Sequence, residues 1–203
     1  VVLAVARAFA TAPPSARPAR SILFLLVTAE ERGLLGSDFF VHHPSVPQES
    51  IVANVNVDGA LMLHPLHDVV AFGVEHSSIL NPVQRAAERL DIALSPDFMP
   101  EEVIFIRSDQ FSFVKQGIPA VYPFVGADTG SFGEDEDGEL LLREWMTTHY
   151  HKPSDDMRQE MDLAAGAKYT KLIYLIGQFL ATDPEPPTWN EGDFLGEKFG
   201  GKS

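Results

Sequence analysis

Apolar and polar positions along this chain alternate in blocks of strand length and helix length. Ile22 to Val27 is an unbroken apolar run of large side chains. A short run of that kind reads as a strand buried on both faces, here Ser21 to Val27. The chain turns polar at Thr28, and Gly33 then introduces a helical pattern through Leu34, Leu35, Phe39 and Phe40 that Pro44 and Pro47 stop. A second strand is expected over Ile51 to Val57, with Ile51, Ala53, Val55 and Val57 on one face and Val52 and two Asn on the other. A third spans Asp68 to Val74. An amphipathic helix covers Ser78 to Leu90, and the short apolar piece Val103 to Ile106 is taken as a strand. Ser108 and Asp109 cap a helix that Gly117 ends, and Ile118 to Phe124 is a strand whose prolines suggest a short or edge position. Ahead of all this, Val1 to Ala10 has the Ala-rich composition of a packed helix, and Thr11 to Arg20, with three prolines, is a connection. Asp162 to Leu180 is a long closing helix. Strands alternating with helices indicate an α/β fold, a three-layer α/β/α domain with a mixed sheet. It is expected over residues 1–182, with a loosely packed Pro- and Gly-rich tail over 183–203.

Composition narrows the function. The chain has 203 residues, enough for one α/β domain, and its 45% hydrophobic and 22% charged residues are ordinary for a globular protein. A formal net charge of -14 argues against nucleic acid and against an anionic membrane surface as partners. With no cysteine there are no disulfides, thiolate metal ligands or Cys nucleophile. No apolar run is long enough to span a membrane. The chain opens on VVLAVARAFA, the interior of a helix with no capping residue or Met before it, so an N-terminal portion is expected to precede it and to hold any targeting segment. The stretch Gly126 to Glu139, rich in Gly and acids, is expected to be a loop. It lacks the ligand spacing of a helix-loop-helix calcium site.

Three polar pieces carry the candidate chemistry. Glu30 and Glu31 sit where the first strand gives way to a helix, and Asp58-Gly59 ends the second strand. In open α/β sheets ligands bind at the carboxyl ends of strands. The simpler alternatives are that acids suit a helix start and that Asp-Gly is a turn. The third piece is the loop Tyr150-His151-Lys152-Pro153-Ser154-Asp155 before the last helix. There Pro153 stiffens the chain and Asp155 is placed to orient it. The other six histidines read as surface or packing residues.

Taken in order, AEERGLLGS, NVDG and YHKPSDD, with Arg107-Ser108-Asp109, resemble the M28 family of zinc aminopeptidases over nearly the whole chain. The resemblance implies a co-catalytic pair of zinc ions and a peptide substrate. Glu30 would be the general base, Glu31 and His151 ligands of one zinc, and Asp58 a ligand of the other. Asp109 and Tyr122 would handle substrate. Two family ligands, a His in a His-x-Asp motif and a bridging Asp, have no counterpart here. The site is therefore expected to be empty or partly filled, and inactive, unless a missing N-terminal segment or a second chain completes it. Gln110 stands where the family often has His. Phe105 stands where some members place an oxyanion-stabilising Tyr, a task that would pass to the metals or to Tyr122. Phe111, Phe113, Phe124 and Trp145 are aromatic candidates for a side-chain pocket. Secretion or a periplasmic location is expected by the same resemblance. The competing readings are a glutaminyl cyclase-like acyltransferase, which would use one zinc and release ammonia, and a metal-free peptidase-like domain for binding or dimerisation.

Overall fold

A computed structural model describes residues 1–130 and 137–201. The elements are α1 (Val2–Thr11), α2 (Leu35–His42), β1 (Asn54–Val55), β2 (Asp68–Phe72), α3 (Leu80–Arg89), β3 (Ala93–Leu94), α4 (Ile104–Arg107), α5 (Gln110–Val114), β4 (Ala120–Val125), α6 (Gly138–Thr148), α7 (Leu163–Thr182) and α8 (Phe194–Phe199). The sheet runs β1-β4-β2-β3. β4 is parallel to β1 and antiparallel to β2, and β2 is parallel to β3, so the sheet is mixed. Helices α1, α3 and α7 pack together on one face, and α2 and α5 on the other. The fold is α/β, in three layers.

Core composition follows the strands. All five residues of β2 and all six of β4 are buried, as continuous apolar runs require when both faces are covered. Their side chains join Val83, Ala86 and Ala87 of α3 and Tyr169, Leu172, Ile173 and Ile176 of α7 in the main core. A smaller cluster of Val41, Phe113 and Ile118 lies beneath α2 and α5.

Four expectations need correction. The run Ser21 to Val27 joins no ladder among the described residues. Phe24 turns to Phe9 of α1 and Leu25 to the Val41 cluster, opposite faces as in a strand, but Leu23 and Leu26 are 50% and 71% exposed. Without a neighbouring strand on its outer side, an apolar run gains no ladder. Ile118 to Phe124 is central rather than an edge. Pro123 is tolerated because β1 has already ended beside it, so no ladder bond needs its missing N–H, and its carbonyl accepts from the Tyr169 hydroxyl at 2.6 Å. Val103 to Ile106 is largely the short helix α4; four apolar residues are too few for periodicity to separate the two states.

The tail, lastly, is docked. Trp189 donates its indole N–H to the Gly117 carbonyl at 2.8 Å. Asp193 caps α8 and accepts from His76 at 2.8 Å, and Leu195 is buried. The acid-rich loop expected over 126–139 lies largely outside the described residues, and its last part is the start of α6, capped by Asp137.

Candidate active site

The acidic pair is set by a tight reversal after the apolar run. Ala29 (φ 60°), Gly33 (φ 98°) and Leu34 (φ 60°) are all left-handed and bracket a 3-10 turn over Glu30–Arg32. The reversal closes where the Gly36 amide donates to the Thr28 carbonyl at 3.0 Å. A Cβ on Gly36 would stand 2.3 Å from that oxygen and 2.6 Å from the Thr28 nitrogen, so only glycine permits the approach. The outcome is two carboxylates in one short turn, Glu30 half-buried and Glu31 exposed.

His151 reaches Glu31 from the far end of the chain. Its backbone is left-handed (φ 56°), and its ring stacks on Tyr150 with centroids 3.7 Å apart. Its Nε2 lies 2.6 Å from Glu31 Oε1. Asp155, expected to orient this loop, accepts from the Gln159 amide at 3.1 Å.

Asp58, just past β1, is held by hydrogen bonds whose directions are fixed from one end. The Phe105 carbonyl can only accept, and it takes Gln110 Nε2 at 2.6 Å. Gln110 Oε1 therefore faces Asn56 and accepts its amide at 2.7 Å. The same amide donates to Ser108 Oγ at 2.9 Å. The Ser108 proton is left for Asp58 Oδ2, 2.8 Å away. Gln110 is fully buried and Ser108 nearly so, which makes each link expensive to break.

Electrostatics mark the same place. The Glu30 carboxyl is raised to about 6, first by burial and then by the charges of Asp58, Glu31 and Asp109, with His151 opposing. Asp109 is also pushed up, chiefly by burial; a hydrogen bond from Ser37 works against the shift and the Asp58 charge adds to it. Its Oδ1 is buried without a hydrogen-bond partner. Tyr122 lies in the core, and its hydroxyl donates to the Asp58 main-chain carbonyl at 2.7 Å. Burial and the neighbouring Asp58 charge hold that phenol well above its ordinary value. Its one proton is committed to the backbone, so Tyr122 braces Asp58.

Glu31 and His151 converge at one point, with donor types that zinc accepts. They are two ligands where zinc sites use three or four from protein. Among the described residues no group of three or more His, Cys, Asp or Glu side chains is placed to hold a metal ion. As it stands, the set does not fit a complete zinc site. The relay through Asn56, Ser108 and Gln110 was not assigned from sequence. Its signal was Asn on a strand otherwise made of Val, Ile and Ala. Phe113 and Phe124 belong to core clusters, and Phe111 packs beside α8.

The profile of Peptidase family M28 matches residues 1–176. A comparison with curated proteins returns no match.

Proposed function

The chain belongs to peptidase family M28, a metallopeptidase family, and from that premise we propose that it serves an aminopeptidase, removing N-terminal residues from peptides. The observation that carries this reading is the Glu31–His151 contact at 2.6 Å beside a Glu30 carboxyl raised to about 6. A carboxyl in that range is poised for general-base work near neutral pH. Glu30 takes a proton from the water that attacks the scissile carbonyl and can return it to the leaving amine. Zinc, when bound, would supply acidity to water and polarise a carbonyl. Glu31, His151 and Asp58 would be this chain's ligands, and the Ser108 relay holds Asp58 in place. The remaining donors come from outside these residues, in a longer form of the protein or from a second chain. Because family members are often secreted, we place the activity outside the cytoplasm. No helix among the described residues is long and apolar enough to cross a membrane.

The test uses the longest natural form of the protein, supplied with zinc, on leucine 4-nitroanilide and on unlabelled peptides. Glu30→Gln should lower turnover by roughly 10²–10⁴-fold with zinc content unchanged, and the product should be a free amino acid. Undiminished turnover in that variant would remove Glu30 from the mechanism. Cyclisation of an N-terminal Gln with release of ammonia would assign the protein to acyl transfer instead.

A further inference from the structure

The backbone of β2 alternates between two neighbours, and on one side it runs out of partner. The register sets Val70 opposite Phe124 and Phe72 opposite Tyr122, and Gly126 donates to the Asp68 carbonyl at 3.0 Å. Pro123, opposite Ala71, has no N–H to give. Asp68, Val70 and Phe72 are thus the residues bonded to β4, and His67, Val69 and Ala71 turn their amides and carbonyls toward β3. Ala93 donates to His67 and Ser95 to Val69, at 2.9 and 3.0 Å. There β3 ends and the chain departs toward Pro100. The N–H and C=O of Ala71, next in line, have no partner among the described residues.

They lie against a cavity of about 350 Å³ walled by Val70, Phe72, Leu94, Val103, Ile104 and Phe105. Its polar lining is Glu75, Ser95 and Asp97, with no Lys, Arg or His. Val103, at its edge, is 49% exposed and held at φ 50°, a left-handed conformation that a β-branched side chain rarely takes.

We propose that this groove binds a polypeptide segment in extended conformation, laid beside β2 as the strand that β3 fails to continue. Its apolar side chain fills the groove and a basic residue meets Glu75 and Asp97. An apolar small molecule would cover the Ala71 amide without satisfying it, at a cost that an extended backbone avoids by pairing with both groups. The carboxylates at the lining select a cationic flank. The proposal does not depend on the metal centre.

The probe is dye-labelled acetyl-Lys-Val-Lys-amide, whose blocked amine makes it a poor exopeptidase substrate. Binding is followed by fluorescence anisotropy and by the amide resonances of the ¹⁵N-labelled chain. Saturable binding is expected, with the Ala71 amide among the largest shifts. N-methylation of the probe's valine should weaken binding at least about tenfold, as should replacing both lysines by glutamate, and both controls leave the protein untouched. Val103→Arg should do the same, while Val103→Gly, which suits a left-handed backbone, should keep binding. The proposal is overturned if the probe does not bind, if the N-methylated probe binds equally well, or if the shifts fall away from Ala71.

Discussion

Replacing Gln110 by Leu tests whether Asp58 is held through a directed relay. The substitution removes the Nε2 bond to the Phe105 carbonyl (2.6 Å) and the Oε1 bond from Asn56 (2.7 Å) at a fully buried position. The Phe105 carbonyl loses its donor, and one Asn56 proton loses its acceptor. Each orphaned buried group costs about 1–3 kcal/mol. The two groups together cost about 2–6 kcal/mol and burying a leucine side chain returns about 1.5–3 kcal/mol, so the net loss should centre on about 2 kcal/mol. For a chain of this size, each kcal/mol lowers the melting temperature by about 2–4 °C. Thermal and urea unfolding of parent and variant give the number. Gln110→Glu separates direction from packing. A carboxylate there has no proton for the Phe105 carbonyl and can donate only when protonated. Burial and that carbonyl raise the new carboxyl's folded pKa above its unfolded value. The variant's deficit relative to the parent should therefore shrink as pH falls through the folded pKa and be largest above it. A Gln110→Leu protein as stable as the parent, or a Gln110→Glu deficit that does not change with pH, would refute the relay.

Other consequences follow from the same structure. Gly36→Ala places a methyl 2.3 Å from the Thr28 carbonyl; it should cost about 1–3 kcal/mol and loosen the acidic turn, read as a changed His151 ring resonance alongside thermal unfolding. Asp193 is nudged upward by burial but held below its ordinary range overall by its hydrogen bonds from His76 and the Gly196 and Leu195 amides. Its contribution is therefore present above the unfolded carboxyl pKa and lost as pH falls through the lower folded value. Acid should release the tail early, seen as a shift of the Trp189 indole N–H resonance, and Asp193→Ala should show the released resonance already at neutral pH.

The sequence carried the acidic pair and Asp58 because each follows a sharp change from apolar to polar, and His151 because it sits in a polar loop stiffened by Pro153; a resemblance ordered them. Spacing alone could not bring Glu31 and His151 together, since 120 positions separate them; only the resemblance placed both on one ion. The Asn56–Ser108–Gln110 relay left little trace, because polar side chains satisfied inside a core have no period. Pro123 misled in a physical way. Proline needs only that no neighbouring strand calls on its missing N–H, and β1, two residues long, has ended before it reaches Pro123, so a central strand can carry it. The tail looked loose because of its three Pro and four Gly, yet an indole bond, a buried leucine and the capped helix α8 dock it. The run Ile22 to Val27 read as doubly buried, and Leu23 and Leu26 stand in solvent; its pattern asks for a neighbour that the described residues do not provide.

The central claim is that this chain holds a general base beside part of a metal site, with Glu31 and His151 as one ion's ligands. Zinc added to the metal-free chain and followed by calorimetry tests it most directly, with Glu31→Ala and His151→Ala as controls. The account predicts weak binding of one ion that either substitution abolishes. Tight binding of two ions, or binding that both substitutions leave unchanged, would contradict it.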